Sequence, residues 1–379
     1  MGKLLREFAF YCKMVRMISV KGILLFIIML SSITIVHELG HLLVAKAFGV
    51  YCKEFSLGMG PKLFSKKTKE TEYSVRALLI GGFVSMVGEQ DDDPAIEELN
   101  IPKNRTLKGI AKWKQMLVMF AGIFMNFVTA LLIYSLLMLN IGTYTIASKP
   151  VIESINENMP AYSSGLQVGD VITKAQLDNG MSITPSSYSE LTTFLISYYE
   201  GNGPWSLTVD RQGKTFEYKI TPEYYESEQR YIIGITFSNV ATKAVNINLL
   251  NCFKYAFIYM VDMIKMIFMS LLSLFKGIGL QNLSGPVGIY QAVEQTIDYG
   301  FDYYLELIAL ISVNVAMINA MPIPAFDGGR VVLLLIEVII GKPLPKKFET
   351  AVLAASWVLI LSLILFVSYN DIIKLIGGY

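Results

Sequence analysis

The two histidines of this chain, the only two it has, fall together as His37-Glu38-Leu39-Gly40-His41 at the end of an uncharged run over residues 22–36, GILLFIIMLSSITIV. That run constrains the fold more than any other feature. A helix rising 1.5 Å per residue needs about 20 predominantly apolar residues to cross a bilayer, and the apolar pattern continues to residue 50 with Glu38 and Lys46 as its only further charges. The segment is therefore read as a membrane-spanning helix that carries two imidazoles and a carboxylate toward one end. Positions four apart share a helix face, so His37 and His41 can grip one metal ion. In this HExxH pattern Glu38 is the general base, placed to take a proton from a water that the metal has acidified. The alternative makes both histidines polar residues satisfied within a helix bundle. It is disfavoured because ionisable groups inside a span are costly and mark function.

Composition agrees with a membrane protein: hydrophobic residues make up 53% of the chain and charged residues 17%. A net charge of +1 identifies no acidic partner, and the basic residues gather at the flanks of apolar runs, which gives no nucleic-acid surface. Cys12, Cys52 and Cys252 are too scattered for a disulfide framework and read as small apolar residues.

The same length rule finds further spans at 116–141, 303–321 and 351–369. The stretch 253–275 carries Asp262 and Lys265 and reads as an amphipathic helix at the membrane interface, and 331–340 as a short helix at the membrane boundary. Four spans result. Basic loops at 53–69, 103–114 and 330–347 belong on the cytoplasmic side by the positive-inside rule, which puts both termini and the segment after the second span outside. The N-terminal arm, with Lys3, Arg6, Lys13, Arg16 and Lys21, argues the other way and is outvoted by the later loops. No small-residue cleavage site marks it as a removable signal peptide.

Residues 147–239 have a different character. Ser206-Leu207-Thr208-Val209 and Thr215-Phe216-Glu217-Tyr218 alternate and are joined through Gln212-Gly213 as a hairpin. Leu191, Phe194, Leu195 and Tyr198 recur at helical spacing. Ser164-Gly165-Leu166-Gln167-Val168-Gly169-Asp170-Val171-Ile172 resembles the glycine-bearing turn and strand of a PDZ domain, which captures peptides by adding a strand to a sheet edge. A spacer or a size filter against bulky substrates is the alternative.

A two-histidine site needs a third protein ligand, and no histidine remains. Asp327 stands out at the close of Asn319-Ala320-Met321-Pro322-Ile323-Pro324-Ala325-Phe326-Asp327-Gly328-Gly329-Arg330. Two prolines break the helix there, and irregular backbone at membrane depth is tolerated only inside protein or along a wet cavity. The competing role for Asp327 is a helix cap.

Together these features resemble the site-2 protease family of intramembrane zinc metalloproteases, in particular the bacterial branch that cleaves anti-sigma factors. The likeness runs from about residue 22 to residue 369. It implies a multi-pass α-helical membrane protein with an inserted α+β PDZ-like domain and a membrane-associated β-hairpin. Its parts would be an N-terminal membrane region (1–141), the insert (147–239) and a C-terminal membrane region (245–379). It implies Zn²⁺ held by His37, His41 and Asp327, Glu38 as general base, and Asn319 as a substrate-binding residue, for which an interhelical hydrogen bond is the alternative. Residues 73–89 resemble the family's hairpin, and Ser284-Gly285-Pro286-Val287-Gly288 a family segment without assigned chemistry. Phe326 departs from the usual leucine, and the insert has room for one PDZ domain where some relatives carry two. The implied location is the cytoplasmic (inner) membrane, with the active site toward the cytoplasm and the insert outside. The implied substrates are single-span proteins already cut outside the membrane, such as anti-sigma factors or signal-peptide remnants. A non-proteolytic scaffold and a metal carrier are the readings from other classes; an intact Glu38 speaks against the first, and the scarcity of further intramembrane ligands against the second.

Overall fold

The computed structural model describes residues 19–89, 94–146, 149–199, 201, 203–225, 230–237, 243–275 and 283–377; the basic arm before residue 19 and Cys12 lie outside them. Two compact units emerge, one from 1–137, 253–268 and 283–379, the other from 138–252 and 269–282.

In the first unit, helix α1 (Val20–Ala47) begins at Ser19, whose hydroxyl caps the Gly22 N–H at 2.9 Å. Strands β1 (Cys52–Lys67) and β2 (Glu72–Met86) follow, then α2 (Lys112–Ile141). The 73–89 segment is thus one arm of a hairpin whose other arm the sequence pattern hides. The pairing curls back on itself: Phe55 faces Val84 and also Tyr73, Ser56 faces Phe83 and Ser74, and Leu57 faces Gly82 and Val75. The start of β1 is therefore interior, and 82–86 is left as an edge with 52–57 as its strand partner. Phe55, Val84 and Met86 bury this sheet against Leu42 and Ala45 of α1 and Val118 and Met119 of α2.

The second unit opens and closes on a strand pair, β3 (Thr143–Ile146) with β12 (Lys243–Asn246). Both strands lie outside the 147–239 limits read from the sequence. Between them come β4 (Ile152–Ile155), α3 (Pro160–Ser164), β5 (Val171–Gln176), β6 (Ser182–Ile183), α4 (Tyr188–Tyr198), β7 (Trp205–Arg211), β8 (Lys214–Ile220), β9 (Glu223–Tyr225), β10 (Arg230–Ile232) and β11 (Ile235–Phe237). The sheet order β6-β5-β7-β8 includes the expected hairpin, with Arg211 opposite Lys214, and β4 pairs with β11. Leu191, Phe194 and Leu195 of α4 bury their apolar stripe with Ile172, Leu207 and Val209. Ser187 caps that helix by accepting from the Glu190 N–H.

The chain continues through α5 (Cys252–Phe275), α6 (Pro286–Tyr299), α7 (Phe301–Asn319), α8 (Asp327–Ile340) and α9 (Lys346–Gly377). Among the described residues five helices are long and apolar enough to cross a bilayer, one more than the four expected spans. The addition is Cys252–Leu274, whose Asp262 and Lys265 neutralise each other at 3.0 Å. The Ser284–Gly288 segment starts α6, and the buried Asp371 carboxylate of α9 accepts from the N–H groups of Gly285 and Gly288 at 2.8 and 2.9 Å. Helix α7 runs beside α1, with the Tyr304 hydroxyl donating to the Leu25 carbonyl at 2.7 Å and Tyr304 packed with Met29 and Ile33.

One charge organises the insert. Asp170, its side chain fully buried, receives Arg211 Nε at 2.7 Å, Arg211 Nη2 at 2.8 Å and the Gln167 N–H at 2.9 Å. Burial alone would raise the Asp170 pKa, but the guanidinium and the backbone donor outweigh it and hold the carboxyl below its usual value. Its folded-state pKa is thus below the unfolded one, so its stabilisation is present above the unfolded value near 3.9 and is lost as pH falls through the folded value. Asp170→Asn should lower the insert's stability by about 2 kcal/mol at pH 7, with the deficit shrinking below about pH 4. Hydrogen exchange of β5 and β7 amides in the full chain reads both effects.

Candidate metal centre

Helix α1 presents His37 and His41 on one face, 8% and 5% exposed, with ring centroids 4.8 Å apart and planes at 85°. Their Nε2 atoms are 3.2 Å apart, and Asp327 Oδ2 lies 3.1 Å from the first and 3.3 Å from the second. Among the described residues these three form the one cluster able to offer a metal ion three ligand atoms. The triangle has the size a metal imposes: tetrahedral zinc with bonds of about 2.0 Å holds its ligand atoms about 3.3 Å apart. The donor set also demands a cation. Asp327 Oδ2 is buried without a hydrogen-bond donor, and three lone pairs that converge in a place shielded from water repel one another unless a positive charge sits between them.

Local structure explains how Asp327 arrives there. Helix α7 ends at Asn319, and Pro322 and Pro324, lacking N–H groups, suit the short turn that follows, in which the Ile323 N–H bonds to Met321 O and the Phe326 N–H to Ile323 O, each at 2.8 Å. Helix α8 then starts with Asp327 as its first residue. Phe326 occupies the N-cap position without a side-chain bond, so the Asp327 carboxylate is a free arm aimed at the histidines and not a cap. Gly328 and Gly329 are required by close approach: a methyl at either would run into the carbonyls of Ala320, Met321 or Ile323.

The second helix supplies what the motifs did not reveal. His41 Nδ1–H donates to the Val118 carbonyl at 2.7 Å, which fixes the tautomer that leaves Nε2 free for a metal. His37 Nδ1 faces the Asn126 side-chain amide at 3.4 Å, and the buried amide oxygen of Asn126 has no donor. With the amide turned about, that oxygen accepts from His37 Nδ1–H and both needs are met at once. Asn126 is anchored in turn, since Ser312 Oγ of α7 donates to its backbone carbonyl at 3.0 Å. Gly122 lies between Val118 and Asn126 on the same face, where a Cβ would come within 2.7 Å of His37 Cε1 and 2.8 Å of His41 Cε1. An amide amid the uncharged run 116–141 was the available signal.

Glu38 points elsewhere on α1, and its Oε2 accepts the Val84 N–H of β2 at 3.0 Å. The sheet edge therefore holds the candidate base by one oxygen and leaves the other for chemistry. Asn319 is the half-buried last residue of α7 and does not belong to the donor triangle.

Comparison with known proteins now bears on this arrangement. The family model described as peptidase family M50 matches residues 25–363. The zinc metalloprotease RasP of Shouchella clausii is 31% identical, with 93% of this chain and 99% of that protein aligned. A putative zinc metalloprotease of Clostridium perfringens is 33% identical over 90% of this chain and 96% of its own. The regulator of sigma-W protease RasP of Bacillus subtilis is 30% identical over 94% and 99%.

Purified chain should carry about one zinc ion, and His41→Ala or Asp327→Ala should abolish its retention. Asn126→Ala, which removes only the support behind His37, should weaken zinc affinity by about 10- to 100-fold. Competition with a chromogenic chelator measures both.

Proposed function

The chain belongs to peptidase family M50, the site-2 proteases, and is a zinc metalloprotease; from that premise we propose that His37, His41 and Asp327 hold its zinc, that Glu38 is its general base, and that it cuts peptide bonds within membrane spans. The observation that carries this reading is the donor triangle on a helix apolar enough to cross a bilayer. Zinc, when bound, polarises the scissile carbonyl and lowers the pKa of water at the site. Glu38 takes the proton of the attacking water on the oxygen that Val84 leaves free and passes it to the amide nitrogen as the C–N bond breaks. A C–O bond forms in its place, with no acyl-enzyme. A peptide carbonyl within a helix is hydrogen-bonded and shielded, so the substrate span must unwind before attack.

Topology fits this account. Helices α1 and α7 run side by side in one direction, since Tyr304 meets Leu25 near their starts while, further along, Ser312 meets Asn126 beside His37. Both then cross the bilayer in the same sense. Helix α2 returns the chain once, so an even number of crossings separates α2 from α7. Helix α6, at about 21 Å, is too short to cross. This parity supports α5 as an interfacial helix and four spans in all, and the lysine-rich loops support a site toward the cytoplasm with the insert outside.

The substrates are single-span proteins, anti-sigma factors or signal-peptide remnants, shortened beforehand outside the membrane. A regulator of sigma-W protease among the relatives supports the first class. The insert works as a PDZ-like module: a cavity of about 610 Å³ lies between β11 and α4, lined by Thr192, Leu195, Ile196, Ile233 and Ile235. A peptide strand added alongside β11 would fill it. Asn319 helps orient the substrate carbonyl.

With a tagged single-span substrate coexpressed, wild type should yield a product whose mass places the cut inside the span. Glu38→Gln should lower that yield by about 10²- to 10⁴-fold with zinc retained; equal products from both would overturn the reading. Ile196→Arg, which charges the insert's groove, should raise KM for a shortened substrate about tenfold and leave kcat unchanged; an unchanged KM would favour size filtering.

A further inference from the structure

Helix α8 carries Asp327 into the donor triangle with sparse apolar packing, in which the half-buried Val331 rests on the core of Phe55, Val84 and Met86. Among its described residues Gly329 alone is buried, and at 14 residues it is too short to anchor itself by spanning the bilayer. Polar ties hold it. Toward its end Glu337 takes Lys112 of α2 at 2.5 Å and the Leu344 N–H at 2.9 Å. At its first turn Arg330, one turn beyond Asp327, pairs with Glu89 in the turn that closes β2.

That second tie closes a circuit. Glu38 of α1 accepts from Val84 of β2. Just beyond β2, Glu89 holds Arg330 of α8, and Asp327 of the same helix returns to His37 and His41 of α1. We propose that the Glu89–Arg330 ion pair is a positioning clamp that sets the third zinc ligand and the general base in one register. Neither residue touches the metal or the reacting bond. Without the pair, β2 still grips Glu38 and α8 still carries Asp327, but the two lose their charged link and keep only the apolar packing of Val331 on the hairpin core. The proposal rests on Asp327 being a zinc ligand.

The pair is partly exposed, with Arg330 40% and Glu89 31% accessible in their side chains, so solvent screens it and the effect should be moderate. Glu89→Gln and Arg330→Gln should each speed zinc loss to a chelator by about three- to tenfold and lower kcat with KM unchanged. The exchanged pair, Glu89→Arg with Arg330→Glu, should recover most of both. In wild type, raising salt to about 0.5 M should speed zinc loss, a measurement that needs no variant, and in Arg330→Gln it should not. Zinc retention unchanged in both single variants, or lost equally in the exchanged pair, would overturn the clamp. Asp327→Asn separates the two ideas: if it keeps zinc the ligand reading fails, and if it loses zinc while Glu89→Gln does not, only the clamp fails.

Discussion

Three lone pairs brought together in an apolar setting are the constraint on which the membrane unit turns. His37 Nε2, His41 Nε2 and Asp327 Oδ2 lie within 3.3 Å of one another, an arrangement that is unfavourable without a cation and favourable around one. Much of the surrounding structure serves that meeting. Gly40 and Gly122 let α1 and α2 approach so closely that a methyl at either would strike the neighbouring helix. The Val118 carbonyl directs one imidazole, Asn126 stands behind the other, and the proline break lets the chain turn back with a carboxylate at its tip. Small residues bring the helices together, and the polar groups spend their hydrogen-bonding capacity on aiming the three donor atoms.

The sheet beside α1 adds a constraint of a different kind. An edge strand offers backbone donors that must find partners, and here one of them, the Val84 N–H, finds the carboxylate of Glu38. A backbone donor cannot rotate away as a side chain can, so the Glu38 carboxylate, the base we propose, has a fixed orientation as long as β2 stays packed on Leu42, Ala45 and Val118. The apolar core of the hairpin and the chemistry of the site are thereby joined through a single amide.

Much of this was legible in the residues, for physical reasons. Long uncharged runs have few solutions, and HELGH within one of them left little room for a bland role. Asp327 could be found because prolines within a span disturb it visibly. The supporting layer was harder to see. Val118 acts through its backbone carbonyl, which every residue possesses, and Gly122 through the absence of a side chain. Strand β1, with Gly58, Gly60, Pro61 and several lysines, lacks the alternation that marks a half-buried strand, because part of it is interior and part exposed. Helix α5 meets the length and composition test for a span, although Asp262 and Lys265 give its sequence the look of an interfacial helix. Pairings of residues far apart in sequence, such as Glu89 with Arg330, leave no local pattern at all.

The pairing of β3 with β12 has a consequence for how such a chain can change over generations. Thr143–Ile146 and Lys243–Asn246 lie in register, so the chain leaves for the insert and returns from it at neighbouring points. Closing a longer excursion costs only slowly more with length. Material could therefore be gained, lost or exchanged beyond this stalk, a second module included, while the residues on its near side keep their spacing. The stalk makes the insert a cassette, open to replacement while the spacing of His37, His41 and Asp327 stays as it is.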